Sequence, residues 1–255
     1  MSDEAQPVLY TVDGHVARIT LNRPDKRNAL NDALIAELKR SFSEADRDER
    51  VHVVLLSGAG KDFCSGADLS SLQKIAEASV TENQDDARML MELFLAIRQV
   101  KVPVVAAVHG RALAGGCGLA TACDLVLASS TARFGYPEVK IGFVPAMVLA
   151  ILRRNASEKV AFELITRGEQ ISAEEAKRVG LVNQVFSDET FTSDVDIYLD
   201  EFSHTSRSAV ALTKRLLYQI DGLDLRAALE TGVDVNVIAR MTEDCKQGIA
   251  KFLKK

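Results

Sequence analysis

Two glycine-bearing stretches and one acid hold the residues that could do chemistry together. Gly115, Gly116 and Gly118 leave the backbone nearly bare within HGRALAGGCGLATACDLVLAS (109–129), where no carboxylate appears before Asp124. A second stretch, FCSGADL (63–69), follows the apolar run Val51–Leu56, as the first follows Val102–Val108. Free N–H groups in loops beyond strand ends, with a helix starting at one of them, suit an oxyanion, because the helix dipole adds to the unpaired donors. Glu138, in FGYPE, places a carboxyl at the end of an apolar stretch, where partial loss of water raises its pKa toward the range useful for proton transfer. The plainer readings are glycines that permit tight turns and close helix packing, and a surface acid after a turn.

The neighbours of these residues carry weaker signals. Asp124 suits a capping or orienting role behind the glycine floor better than direct chemistry. His109 is the one histidine beside the floor, as a pocket residue or as a packed, hydrogen-bonded imidazole. Tyr136, two residues before Glu138, could reach a bound water or belong to the core. Other glycine chemistries fail on spacing. SGAGKDF has Leu55 where a phosphate loop needs its first glycine and Asp62 where it needs Ser or Thr, and no G-x-G-x-x-G pattern runs from Gly110 to Gly118. The four cysteines, Cys64, Cys117, Cys123 and Cys245, form no C-x-x-C pair, so reduced and mostly buried thiols are expected and no metal site is.

These groups need a frame. The 255 residues suffice for one large α/β domain or a core with a smaller appendage. The basic residues are scattered and the net charge is −5, which argues against a nucleic-acid surface. Apolar runs are too short to span a bilayer, and the first residues are acidic where a secretory leader would be basic, so a cytoplasmic protein is expected. Val8–Tyr10 and Val16–Leu21 flank VDG as a hairpin, and Asn31 caps a helix over DALIAELKRSFSEAD. Val51–Leu56 then follows as a buried strand, paired in parallel with a neighbour. The polar stretch SSLQKIAEASVTENQDDAR reads as a mobile surface segment, MLMELFLAIRQV as a helix, Val102–Val108 and Leu125–Ala128 as strands. From Ala156 the pattern is mainly helical, with Ser172 capping SAEEAKRVG before the short strand LVNQVF. Residues 1–192 read as the core, and 193–255 as a helical region.

LNRPDKRNALN, SGAGKDFCSGADL, KVPVVAAVHGRALAGGCGLATACDLVLAS and ARFGYPEVKIGFVP, in this order and spacing, together resemble the crotonase family of enoyl-CoA hydratases and isomerases. The resemblance covers essentially the whole chain, RGEQISAEEAKRVGLVNQVF included. It implies a spiral of ββα units, a C-terminal helical region that packs into trimers or hexamers, and an acyl-CoA thioester as ligand, with no cofactor beyond the coenzyme A of the substrate. By position it makes the backbone N–H groups of Ala67 and Gly115 an oxyanion hole, and Arg27, Ala67, Asp68 and Leu69 contacts to coenzyme A. Family hydratases carry one glutamate three residues after the oxyanion glycine and a second twenty residues further on. Here those positions hold Gly118 and Glu138. One acid allows a hydratase or dehydratase in which Glu138 moves the proton, a Δ3,Δ2-enoyl-CoA isomerase, or a catalytically silent acyl-CoA binder. The same segments are similar to a branch acting on branched glutaconyl-CoA intermediates, and an acid replaced by Gly118 leads to the expectation of room for a branched acyl group, with His109 and Tyr136 beside it.

Overall fold

The computed structural model describes residues 6–254. The chain runs β1 (Val8–Asp13), β2 (Val16–Leu21), α1 (Asp32–Arg47), β3 (Val53–Gly58), α2 (Leu69–Glu77), α3 (Val80–Gln99), β4 (Val104–Val108), β5 (Arg111–Leu113), α4 (Gly115–Ala122), β6 (Leu125–Ser129) and β7 (Arg133–Gly135). It continues through α5 (Ala146–Asn155), α6 (Glu158–Arg167), β8 (Gln170–Ser172), α7 (Ala173–Arg178), β9 (Gln184–Phe186), α8 (Phe191–Asp200), α9 (Arg207–Gln219), α10 (Leu225–Met241) and α11 (Glu243–Phe252). Six strands form one sheet in the order β1-β2-β3-β4-β6-β9, and β5-β7-β8 form a second. The β1–β2 hairpin is antiparallel, and every later pairing in the large sheet is parallel. This is the α/β spiral that the resemblance implies, with a helical C-terminal region.

The central strands read as unbroken apolar runs because both of their faces are covered. Val54, Leu56, Val104, Ala106 and Val108 point into the main core with Leu34, Leu38 and Phe42 of α1. Their alternating neighbours Val53, Leu55, Val105 and Ala107 pack on the opposite face under Val195 and Leu199 of α8. Helix α1 starts where Asn31 accepts the N–H of Leu34 at 2.9 Å.

Residues 70–88, expected as a mobile surface segment, are instead helical. Ser79 and Glu82 form a reciprocal capping box that starts α3, with the Glu82 carboxylate 2.8 Å from the Ser79 N–H. The first turns of α3 are polar, with Glu82, Gln84 and Asp85 exposed and Asn83 and Asp86 at a cavity, and its buried apolar residues are Leu93, Phe94 and Ile97. Among the described residues no helix is long and apolar enough to cross a membrane. Cys64, Cys117 and Cys123 are buried free thiols, and no group of three or more potential metal ligands occurs among the described residues.

Candidate active site

The loops that follow β3 and β4 are built against each other. Leu113 N–H donates to the Cys64 carbonyl at 2.9 Å, and Cys64 N–H to the Arg111 carbonyl at 3.0 Å. Gly66 takes φ +95°, and a Cβ there would stand 2.8 Å from the Cβ of Ala114. A side chain would therefore push the two loops apart. The Ala67 backbone is fixed by bonds on either side of it: Leu30 N–H to the Gly66 carbonyl at 2.7 Å, and Asp68 N–H to the Leu30 carbonyl at 2.9 Å. The N–H of Ala67 itself has no acceptor among the described residues. Across from it, Ala114 lies at φ +51°, ψ −128°, a strained conformation for a residue with a Cβ, held by its N–H bond to the Gly135 carbonyl at 2.8 Å. That kink makes Gly115 the first residue of α4, where an N–H has no partner within the helix and the helix dipole is positive.

Ala67, Ala114 and Gly115 line one cavity of about 550 Å³, and Glu138 lines it too. Glu138 sits on a short 3-10 helix, Pro137–Ile141, whose end is turned by Gly142; its carbonyl accepts the Phe143 N–H at 3.1 Å. Its Oε2 is buried without any hydrogen-bond partner, and burial raises its pKa above the ordinary glutamate value. A buried carboxyl oxygen with no partner in the fold is poised to exchange a proton with something that enters the cavity. The rest of the lining is mostly aliphatic, with Leu72, Ile75 and Leu90 on one wall and Val144, Met147 and Val148 on the other.

The structure separates the remaining sequence candidates. Gly118 is buried, and the expected room beside it does not exist: a Cβ would meet Val148 Cγ1 at 2.2 Å and Phe94 Cζ at 3.0 Å. The volume of the absent glutamate has been filled from α5 and α3. His109 lies outside this cavity. Its Nε2 is 2.9 Å from the Gly60 carbonyl, and it borders a separate groove with Arg18, Lys61 and Arg133. Tyr136 is a core residue, 1% exposed, with its hydroxyl 3.4 Å from Thr121 Oγ1. Asp68 does not line the cavity; it caps α2 through the Ser70 N–H at 3.1 Å and binds Arg23 at 2.7 Å. The Arg27 guanidinium is largely exposed, and its carbonyl holds the Ser65 N–H at 3.0 Å. The side chain of Leu69 lies outside the described residues. Asp124 accepts from Val104 N–H at 2.7 Å and Tyr218 Oη at 2.6 Å, and pairs with Lys214 at 2.7 Å, a wholly structural set of partners.

The sequence reading missed Ala114, whose residue type carries no sign of a positive φ. It also missed Asp32, at the start of the expected helix α1, and Asp86, which only a correct assignment of α3 would have placed at the cavity.

Residues 11–255 match the family model described as enoyl-CoA hydratase/isomerase. The 2,3-dehydroadipyl-CoA hydratase of Escherichia coli K12 is 35% identical, over 94% of this chain and 92% of that one. The short-chain-enoyl-CoA hydratase of Clostridium acetobutylicum is 34% identical, over 99% and 96%. The crystal structure of an enoyl-CoA hydratase from Mycobacterium smegmatis superposes with a TM-score of 0.93 at 33% identity, covering 97% of this chain and 96% of that one. With the match extending through both loops, Glu138 and the C-terminal helices, the chain belongs to the enoyl-CoA hydratase/isomerase family.

Proposed function

We propose that the protein hydrates a 2-enoyl-CoA thioester with Glu138 as its acid and base. The observation that carries this reading is the meeting of three unsatisfied groups at one aliphatic cavity: the N–H of Ala67, the N–H of Gly115 and the buried Oε2 of Glu138. A thioester oxygen received by the two N–H donors polarises the conjugated double bond. Water adds at C3 and gives a proton to the Glu138 carboxylate; the π electrons move toward the thioester oxygen, and Glu138 returns the proton to C2. A carboxylate is too weak a base to hold this equilibrium alone, so the paired donors supply much of the rate, each worth about 3 kcal/mol. Coenzyme A takes part only as the handle of the substrate. Arg27 and the neighbouring Lys26 extend into solvent beside the Ser65–Asp68 loop, which suits the phosphates of that handle.

A single carboxyl also suffices to carry a proton between C2 and C4, so 3-enoyl-CoA is the second substrate to test. Incubation with 2-enoyl-CoA and with 3-enoyl-CoA, followed by product identification, separates the readings: a 3-hydroxyacyl-CoA from the former supports hydration, interconversion without uptake of water supports isomerisation, and no turnover with tight binding would make this a silent binder. The proposal includes no preference for branched chains, because Val148 and Phe94 occupy the space on which that preference would depend.

Assembly into trimers or hexamers belongs to the same proposal. Leu225, Leu229, Val233, Val237 and Met241 form a stripe at four-residue spacing along α10, each more than half exposed. Such a stripe is covered when copies of the chain pack together. Light scattering at micromolar concentration checks it, and a monomer refutes it.

A further inference from the structure

The α1–α3 wall of the cavity is largely aliphatic, with Asn31, Ser71 and Asn83 among its polar residues and one pair of acids, Asp32 and Asp86. Asp86 stands among Leu72, Ile75, Ala87 and Leu90, and forms no hydrogen bond or ion pair among the described residues. Asp32, on the same wall, is held by Lys74 at 2.8 Å, so the wall carries two carboxylates against one ammonium. Asp86 is eight residues from Phe94, the residue that fills the space beside Gly118. Two helical turns put it roughly 12 Å along α3 from that point, too far to replace the absent glutamate at the floor. Its carboxyl therefore meets a part of the ligand away from the reacting carbons. That part is not the nucleotide end of coenzyme A. The phosphates are polyanionic and suit the exposed basic residues Lys26 and Arg27 by the Ser65–Asp68 loop, not a pair of carboxylates.

We propose that Asp86, backed by Asp32, is a specificity-determining residue that rejects acyl-CoA substrates ending in a carboxylate and accepts neutral chains or chains ending in a hydrogen-bond donor. The inference rests on the acyl-CoA reading of the cavity and adds the class of acyl group. Burial and the neighbouring Asp32 charge raise the pKa of Asp86 against a smaller opposing pull from Lys74, and the other cation of the lining, Lys140, is engaged by Glu169 at 3.0 Å, so the balance at this wall disfavours further negative charge. A third carboxylate brought into a partly desolvated site meets the same field. Chains of the dehydroadipyl or glutaconyl type would be disfavoured on this ground, whatever their branching.

The test is affinity for two saturated, unreactive esters of equal chain length, hexanoyl-CoA and adipyl-CoA, measured by calorimetry on the intact protein. The expected result is at least ten-fold tighter binding of hexanoyl-CoA. Asp86→Asn should shrink that ratio at least three-fold and Asp86→Lys should bring it to unity or reverse it, while Asp32→Asn, which frees Lys74, should move it the same way. A wild-type ratio near one, or a variant that weakens both esters equally, overturns the proposal. Crotonyl-CoA hydration assayed in parallel tests the underlying reading separately: selectivity without turnover refutes the hydratase, and turnover without selectivity refutes the role of Asp86.

Discussion

Glu138 and Asp124 are both carboxyls removed from bulk water, and they differ in what touches them. Asp124 receives a backbone N–H, a tyrosine hydroxyl and a lysine ammonium, so each of its oxygens is engaged by the fold. Glu138 has one buried oxygen with no partner, and the oxygen belongs to a cavity wall. Folding has used Asp124 to tie the end of α4 to the start of β4 and to α9. It has left a buried oxygen unsatisfied at Glu138, as it has buried polar atoms of Tyr10, Ser41 and Arg98, and of these four residues only Glu138 lines the cavity that holds the two free N–H groups. The two N–H groups at Ala67 and Gly115 repeat the distinction, since the N–H groups of the adjoining Asp68 and Ala114 are bonded and they are not.

The sharpest way to break the comparison is to remove the proton carrier and keep its shape. Glu138→Gln should lower kcat by about a thousand-fold, the range of a positioned acid–base group. In the wild type, kcat/KM for 2-enoyl-CoA should fall as the pH is lowered through the raised pKa of Glu138, because the carboxylate must be free to take the proton of water. Normal turnover by the glutamine variant would end the assignment. Next in size is Ala67→Pro, which replaces one donor N–H with a ring carbon. A drop on the order of 10² to 10³ in kcat, with KM moved far less, is the signature of a donor that acts mainly in the transition state.

How far these residues could be read before the structure depends on how local their signals are. The hairpin, the buried strands to within two residues at their ends, and the Asn31 cap follow from periodicity and capping, and a helix does start at Gly115, where the glycines alone marked it. The α2–α3 region does not, although Ser79 and Glu82 spell a capping box, because the first turns of α3 expose Thr81, Glu82, Gln84 and Asp85 to solvent and interrupt its apolar stripe. The three glycines of AGGCG look alike in sequence and have three different reasons. Gly115 opens on the cavity, a Cβ on Gly116 would stand 2.3 Å from the Cys64 carbonyl oxygen, and Gly118 is pressed by Val148 from thirty residues away. No local pattern could reveal that last contact, and the expectation of a branched-chain pocket failed on it. His109 adjoins the floor in sequence, yet its imidazole turns to the Gly60 carbonyl and the other groove.

Lys214 tests the partnered half of the comparison. Its ammonium is buried between the Ile97 and Val102 carbonyls, each at 3.1 Å, and Asp124. Lys214→Met keeps the stem and strands the Asp124 charge. A loss of about 3 kcal/mol in urea unfolding is expected, with kcat per folded molecule within about two-fold of wild type. A large fall in kcat at unchanged stability would show that the network serves the site and not the fold. Smaller again is Gly118→Ala, whose methyl group must displace Val148. Overpacking of this kind costs about 2 kcal/mol, and a neutral or stabilising result would mean that the space beside α4 is open after all.

The smallest effect distinguishes the two acids by sign. Burial raises the Glu138 pKa in the folded protein above the value of 4.5 that it has in the unfolded chain. Between those two values the native state holds a proton that the unfolded chain has lost, so raising the pH through that window lowers stability. Above the folded pKa the full cost of burying the charge is present. Glu138→Gln has no such slope. It should match the wild type below about pH 4 and become more stable than it as the pH rises, while remaining inactive. Asp124→Asn should do the opposite at neutral pH, because it takes the counter-charge from Lys214 and gains nothing in return. Chemical denaturation of both variants across pH 4 to 8 reads the two signs directly. If Glu138→Gln were the less stable protein at pH 8, the side chain would have partners in the fold after all, and its unpaired oxygen could no longer be taken as the mark of a working acid.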